Sequence, residues 1–335
     1  PQSACSRSAT AIPRTDRMPF LLRRYGTLIG FLVLIVFFWA ELPDTFLTAR
    51  NLLNITQQMS MLAVVSATMT VVMAMGDFDL SVGSIASLAG IVAAMIFVAG
   101  GSPFLAVPAA LAAGLAAGAV NGFLVAYVGI LPFIATLGAL TVYSGLAFRL
   151  SDGKTIFGAV IPASFGGFAR GGPDVGGFAI PNLTLVAALA LILVWVFLEQ
   201  TITGRRLYAI GGNAEAARLA GVRIKPLKVL AFALSGFGAA SAGLMLASRV
   251  ASANPTQGAG LMLDAIAAVF LGMTMSEEGE PRVLYTLLGV LMLGVLGNGL
   301  TQMNVDSYVR DMITGLIIVA AVAAGSLGRR SEGFL

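Results

Sequence analysis

The sequence predicts an all-α integral membrane protein with about ten transmembrane helices. Of its 335 residues, 58% are hydrophobic and only 11% are charged, whereas soluble domains are about 45–50% apolar and ~25% charged. The apolar residues recur in runs of about 20, the length that crosses a hydrocarbon core. The 40 glycines indicate closely packed helices, because small residues let membrane helices approach one another.

We predict ten spans, which form a membrane domain over 26–326 between an N-terminal tail, 1–25, and a C-terminal tail, 327–335. An acidic interruption separates the second span from the third, and the eighth is short. Met18 opens a segment typical of the start of a membrane protein, so we expect residues 1–17 to be dispensable. The spans are 26–42, 52–75, 80–100, 104–128, 131–150, 182–200, 229–250, 261–276, 283–302 and 307–326.

The basic residues predict the orientation. Ten spans place both termini on one side, and cytoplasmic loops carry an excess of Lys and Arg. With the termini inside, inner segments hold fourteen of the 20 Lys and Arg residues. The inner segment 201–228 alone carries six of them. We therefore predict cytoplasmic N- and C-termini.

Two connecting segments are long enough to have their own roles. The outer segment 151–181 is rich in Gly, Ala, Phe and Pro, which fits either a connector on the membrane surface or a docking face for an external partner. The inner segment 201–228 contains the signals of a short helix, with Asn213 as N-cap, Glu215 in the first turn and Gly221 as the stop.

A weak internal repeat links the two halves of the chain. Residues 121–138 align with 298–315 at a constant offset, and Asn121 matches Asn298. In the predicted topology the two asparagines lie in spans of opposite direction. The repeat is then inverted, an arrangement that places transport pathways near the repeat interface, although chance similarity between apolar helices is the alternative.

Asp77 and Asp79 interrupt a long apolar stretch, and three interpretations remain open. They lie in a tight solvated inner loop, in a broken helix that lines a path, or at a proton-relay site. Charged groups inside a membrane helix are costly and face protein or water. Asp79 and Ser81 are also suited to capping the following helix.

Most catalytic chemistry is excluded by composition. The chain has no His and one Cys, so it lacks a Ser–His triad, a His/Cys metal cluster and an intrachain disulfide. The run 152–155 (DGKT) lacks the upstream glycine of a phosphate-binding loop. An intramembrane enzyme has no plausible catalytic groups here. Active transport would therefore draw energy from a partner or from an ion gradient.

Five sequence blocks, in order, resemble the ribose-type ABC permeases for sugars. The blocks are GDFDLSVGSIASLAG (76–90), NGFLVAYVGILPFIATLGAL (121–140), TGRRLYAIGGNAEAARLAGVRI (203–224), LSGFGAASAGLMLASRVASANPTQGAG (234–260) and LDAIAAVFLG (263–272). The likeness runs from about residue 45 to 325.

The resemblance implies the ABC importer permease fold in a bacterial inner membrane. It also implies a second permease subunit, in a homodimer or heterodimer, two cytoplasmic ATPases that bind the ATP and Mg, and a periplasmic sugar-binding protein. The chain itself would carry no cofactor. The helix of the inner loop would sit in a groove of the ATPase, and that role falls on Gly204, Arg205, Gly211, Asn213, Glu215, Ala216, Ala217, Arg218, Leu219 and Gly221.

The sequence departs from the family at two places. Asp77 is an extra acid, and 272–283 (GMTMSEEGEPRV) replaces a glycine-rich run. The resemblance therefore does not identify which sugar is transported. Polar candidates for the translocation path are Asp79, Ser81, Asn121, Thr136, Asp264 and Asn298. The alternative function is a proton-coupled secondary transporter that uses Asp77 or Asp79.

Overall fold

The computed structural model describes residues 17–276 and 278–330, which form a bundle of α-helices with two short antiparallel strand pairs. The first half contains α1 (Arg17–Glu41), α2 (Ala49–Met73), α3 (Val82–Val98), α4 (Pro103–Phe123), a π-turn (Leu124–Val128) and α5 (Pro132–Ser151).

The connecting segments follow. They contain β1 (Ile156–Phe157), a 3₁₀ turn (Gly158–Val160), α6 (Ala163–Arg170), β2 (Asp174–Val175) and β3 (Phe178–Ala179). Next come α7 (Asn182–Trp195), a π-turn (Val196–Gln200), α8 (Ile202–Gly212) and α9 (Ala214–Leu219). The second half contains α10 (Ile224–Val250), β4 (Ser252–Ala253), α11 (Ala259–Met273), α12 (Val283–Gln302) and α13 (Ser307–Arg330).

Each predicted span overlaps one of these helices. Within the described residues, six helices are long and apolar enough to cross a membrane, and three more are shorter apolar helices. The segment 151–181, interpreted as either a connector on the membrane surface or a docking face, contains α6 and the β2–β3 hairpin. Its β1 also pairs with β4, and Ile156 lies opposite Ala253. Sequence reasoning predicted none of these elements.

The core lies around α2 and α10. Every residue of α2 from Met59 to Met73 is buried, and α10 packs against α2, α3 and α4. A Cβ on Gly118 of α4 would lie 2.1 Å from the Phe232 carbonyl oxygen of α10, so the two backbones touch. The apolar faces of α5 and α7, in contrast, are mostly exposed, as expected for surfaces that face lipid or another subunit.

Two non-helical breaks reach α3. The first, 74–81, joins α2 to α3 and turns at Gly76, whose φ of 79° suits glycine. The second, 251–258, joins α10 to α11, and its Gly258 amide donates a hydrogen bond of 2.9 Å to Ser87 Oγ on α3. Irregular backbone at membrane depth is tolerated where protein buries it.

Candidate functional site: an interior polar network, a cavity and an exposed helix pair

Three of the predicted path residues meet in a buried polar network, defined as Asp79, Ser81, Asn121, Tyr143 and Ser235. Asp79 Oδ1 accepts from the Ser81 hydroxyl at 2.6 Å and from the Ser81 amide at 3.0 Å. Asp79 Oδ2 accepts from Ser235 at 2.8 Å. Asn121 Nδ2 donates to Ser81 Oγ at 2.7 Å, and Tyr143 donates to Asn121 Oδ1 at 3.0 Å. The network ties the first break to α4, α5 and α10.

The network revises two expectations about the acidic motif. Asp79 is fully buried, so it does not lie in a solvated loop. The Ser81 side chain makes no capping bond to α3, because its hydroxyl donates to Asp79 and accepts from Asn121. Each polar group of the network has a partner, which makes it a set of cross-links between helices.

Asp77 lies in a different environment from Asp79. Its carboxylate accepts a 2.6 Å bond from Lys228 Nζ at the start of α10, and the two side chains are only 10% and 20% exposed. The pair joins the first break to α10. The geometry therefore compensates the extra acid with a cation rather than placing it on an open path.

Thr136 stands apart from the other candidates. Its hydroxyl donates to the Pro132 carbonyl one turn earlier on α5, at 2.8 Å. This local bond satisfies the hydroxyl within its own helix.

Asp264 and Asn298 line one cavity of about 220 Å³ between α2, α11, α12 and α13. Asn298 Oδ1 accepts from Gln302 at 2.8 Å and from Asn51 at 3.1 Å. Asp264 accepts no hydrogen bond from any residue in the described part of the chain. The structure therefore brings these two candidates together and separates them from Asp79, Ser81 and Asn121.

The segment 201–228 contains the predicted short helix. Asn213 caps α9, with its Oδ1 accepting from the Ala216 amide at 2.9 Å, and Gly221 has the positive φ of 83° that ends it. Glu215 and Arg218 pair within this helix, and both side chains are 64% exposed. Leu219, an apolar residue, is 78% exposed.

The predicted coupling residues divide into two sets. Gly204 and Ala217 are buried against the protein, so Ala217 packs inward with Leu207 and Ile210 rather than outward. The other eight are exposed: Arg205, Gly211, Asn213, Glu215, Ala216, Arg218, Leu219 and Gly221.

Helix α8 packs against the C-terminal end of α2. A Cβ on Gly211 would lie 2.2 Å from the Ala74 carbonyl oxygen, so only glycine lets the backbones approach this closely. Tyr208 of α8 donates to the Pro281 carbonyl at 3.0 Å. Burial, and after it the charge of Glu199, raises the pKa of Tyr208, so its hydroxyl stays protonated. Helix α8 thus connects α9 to the first break.

Several residues in these sites were missed by sequence reasoning. Ser235, Tyr143 and Lys228 complete the partners of the acidic motif, and Gln58 and Arg310 line the cavity. An ionisable residue at a predicted span end, such as Lys228 or Arg310, was an available signal. Ser235 and Tyr143 carry no such signal, because lone hydroxyls are common in membrane helices. Within the described residues, no group of His, Cys, Asp or Glu is placed to hold a metal ion.

Known proteins resemble this chain over most of its length. A family model described as "Branched-chain amino acid transport system / permease component" matches residues 51–322. The ribose import permease protein of Bacillus subtilis (strain 168) is 38% identical over 302 residues, which cover 90% of this chain and 92% of the relative. The L-arabinose transport system permease protein of Escherichia coli (strain K12) is 36% identical over 321 residues, 96% of each chain.

A third relative, the D-allose transport system permease protein of the same Escherichia coli strain, is 32% identical over 313 residues, 91% of this chain and 92% of the relative. No solved structure matches the chain significantly. The resemblance inferred from the five sequence blocks is thereby confirmed. The chain belongs to the sugar-type family of ABC permease subunits, and it is a multi-pass transport component of the bacterial inner membrane rather than an enzyme.

Proposed function

We propose that the chain forms the translocation path of an ATP-driven, binding-protein-dependent importer for a monosaccharide or a related small polyol. The family model carries an amino-acid description, but the relatives of high coverage are named for ribose, L-arabinose and D-allose. The geometric observation that supports the proposal is the exposed α8–α9 pair. This pair packs against the end of α2, and it exposes an ion pair and an apolar side chain.

In the proposed assembly, two cytoplasmic ATPase subunits bind ATP and Mg and seat α9. Glu215, Arg218 and Leu219 would contact the ATPase, while Gly211 passes its movement to α2. Exposed ion pairs contribute little to folding, so Glu215 and Arg218 are free to serve an interface. A second permease subunit, identical or related, would complete the path, and the exposed apolar faces of α5 and α7 leave room for it or for lipid.

The proposed topology has ten crossings, with both termini cytoplasmic. Its support is the distribution of basic residues and the internal repeat. The offset between Asn121 and Asn298 also aligns Asp77 with Asn254. The first break therefore aligns with the second. The same offset relates α2, α3, α4 and α5 to α10, α11, α12 and α13, within a few residues at each end.

The outer surface would receive the loaded binding protein. There, β1 pairs with β4, and Asn254 Nδ2 donates to Thr155 Oγ1 at 2.7 Å, which holds the segments 151–181 and 251–260 together. Phe157 and Phe178 are 68% and 50% exposed, and exposed aromatic side chains are common at protein interfaces.

The path candidates remain Asp79, Ser81, Asn121, Thr136, Asp264 and Asn298, with different expected roles. Asp264 and Asn298 face a cavity, whereas the first three belong to the buried network and would hold the helices that border the path. The saturated Asp79 and the paired Asp77 also weigh against proton-coupled transport. Collapse of the proton gradient should leave ATP-driven uptake intact.

The test is reconstitution with the ATPase and the binding protein, followed by sugar uptake and ATP hydrolysis. The double variant Glu215→Ala and Arg218→Ala should assemble in the membrane but lose most uptake and the stimulation of hydrolysis by loaded binding protein. Lys225→Ala is the matched control, because Lys225 is also charged and exposed but lies on α10, outside the α8–α9 pair. Wild-type uptake in the first variant would contradict the coupling role.

A further inference from the structure

The cavity defined by Gln58, Asp264, Asn298, Arg310, Asp311 and Thr314 points to a binding site for the ligand itself. We propose that it contacts the hydroxyl groups of a neutral sugar during passage. This inference rests on the proposed function, since it assumes that the chain transports a sugar. The residues come from four helices, α2, α11, α12 and α13, so the tertiary fold assembles the site.

The polar wall has hydrogen-bonding capacity that the protein leaves unused. The carboxylate of Asp264 and the amide of Gln58 make no hydrogen bond with any residue that the structure describes. Asn298 accepts two bonds through Oδ1, and within the same described part its Nδ2 donates none. Polar groups that lack protein partners are expected to face a ligand or water. Carboxylate acceptors and amide donors together suit hydroxyl groups, which both donate and accept.

The lining also contains the apolar residues Met59, Leu62, Leu261 and Leu293. A sugar ring presents C–H faces as well as hydroxyl groups, so a lining that combines apolar and polar side chains matches it. The volume of about 220 Å³ lies below the ~300–1,000 Å³ of pockets for drug-sized ligands, which suits a single small ring. Few strong contacts are expected, because transfer requires binding weak enough to release the ligand.

The charges favour a neutral ligand over an amino acid. A zwitterion would need a free cation for its carboxylate, but Arg310 lies 3.9 Å from the Asp311 carboxylate and 3.4 Å from Thr301 Oγ1. The lining therefore presents Asp264 as its unpaired charge among the described residues. A carboxylate ligand would be repelled there, whereas hydroxyl groups would donate to it.

Thiol labelling tests whether the cavity is open to water and to sugar. Because Cys5 is the one cysteine of the sequence, Cys5→Ser provides a thiol-free background for the reconstituted complex. Gly297 lies on the cavity wall, and a Cβ there would meet only Arg310 Cδ, at 4.0 Å, so Gly297→Cys has room. Thr314→Cys on α13 gives a second reporter. Ala265→Cys is the control, because Ala265 follows Asp264 but is fully buried.

A membrane-impermeant, positively charged methanethiosulfonate reagent should modify the thiols at 297 and 314 but not the thiol at 265. Ribose, L-arabinose or D-allose at high concentration should slow this modification at least several-fold, and leucine should not. If neither cavity thiol reacts in a complex that still imports sugar, the cavity proposal is overturned while the proposed function stands. If leucine protects and sugars do not, the sugar assignment falls. If the thiols react but the wild-type complex imports no sugar, the proposed function fails instead.

Asp264→Asn provides the functional test in the same complex. It keeps the shape but removes the charged acceptor, so the KM for sugar uptake should rise about tenfold, as expected for a lost charged hydrogen bond. The thermal midpoint of the purified complex should stay near the wild-type value, which separates ligand contact from a folding defect. An unchanged KM would contradict a contact between Asp264 and the sugar.

Discussion

The buried network and the cavity are both polar clusters among apolar helices, but they differ in how their groups are satisfied. In the network, each carboxylate oxygen of Asp79 accepts a hydrogen bond from a buried side chain. In the cavity, Asp264 has no hydrogen-bond partner within the described residues, and Asp311 is 77% exposed. A saturated cluster fixes the distances between helices, whereas an unsaturated one has capacity left for a ligand.

The comparison shows that polarity inside a membrane protein does not by itself identify a transport path. Asp79 and Asp264 both stand out in the sequence as acids beside small-residue helices. Their surroundings distinguish them, because leaving a buried donor or acceptor unpaired costs about 1–3 kcal/mol. We therefore expect substitutions in the network to affect stability and substitutions in the cavity to affect transport.

The largest effect is expected for Asp79→Ala. The change leaves the Ser81 and Ser235 hydroxyls without their acceptor in a buried site, which we expect to cost at least ~3 kcal/mol of stability. The thermal midpoint of the detergent-purified protein measures it. Asp264→Ala is the matched control and should shift that midpoint little. Equal losses in the two variants would remove the distinction between the network and the cavity.

An intermediate effect is expected for Lys228→Met near the N-terminal end of α10. Asp77 would keep its charge in a mostly buried position without its cation, at a cost of about 2 kcal/mol, because removing one partner of a buried pair is strongly destabilising and this pair retains some exposure. Lys225→Met is the control on the same helix, since Lys225 is exposed and lies over the Tyr127 ring at 5.3 Å. Similar midpoints for the two variants would contradict a structural role of the Asp77–Lys228 pair.

A smaller effect is expected for Gly118→Ala, which tests packing beside the network. The added methyl would lie 2.1 Å from the Phe232 carbonyl oxygen, so α4 and α10 must separate, at a cost of roughly 1–2 kcal/mol for overpacking. Gly297→Ala adds the same methyl in the cavity, where it has space. Unfolding in denaturant compares the stability of the two variants. If Gly297→Ala lost as much stability as Gly118→Ala, the cavity wall would be packed.

The smallest effect is expected for Glu280→Gln, between α11 and α12. Burial, and after it the charge of Glu278, raises the pKa of Glu280 from its usual 4.5. An acid whose pKa is higher in the folded state than in the unfolded state binds more protons when folded. The free energy of unfolding therefore falls as the pH rises and the carboxyl group ionises. The substitution should add no more than ~0.5 kcal/mol at neutral pH, because solvent screens this exposed group. The gain in stability should vanish below about pH 4. A loss of stability at neutral pH would contradict the prediction.

The sequence was sufficient for features that depend on nearby residues. The apolar runs predicted where the long helices lie, and the signals at Asn213 and Gly221 predicted a helix whose cap and stop the structure contains. These predictions succeed because hydropathy, capping and positive φ act within one helix or turn. The five blocks likewise identified the family before any fold was considered.

Only the tertiary structure decided which polar residues are saturated. Ser235 lies 156 residues from Asp79, and Lys228 lies 151 residues from Asp77, so neither pairing has a local signal. The same holds for the cavity, where Asp264 and Asn298 meet Gln58 and Arg310 only through the packing of four helices. The sequence by itself determined that the chain crosses the membrane and which family it belongs to. Hydrogen bonds between distant segments decided that Asp79 holds helices together, whereas Asp264 has no hydrogen-bond partner among the described residues.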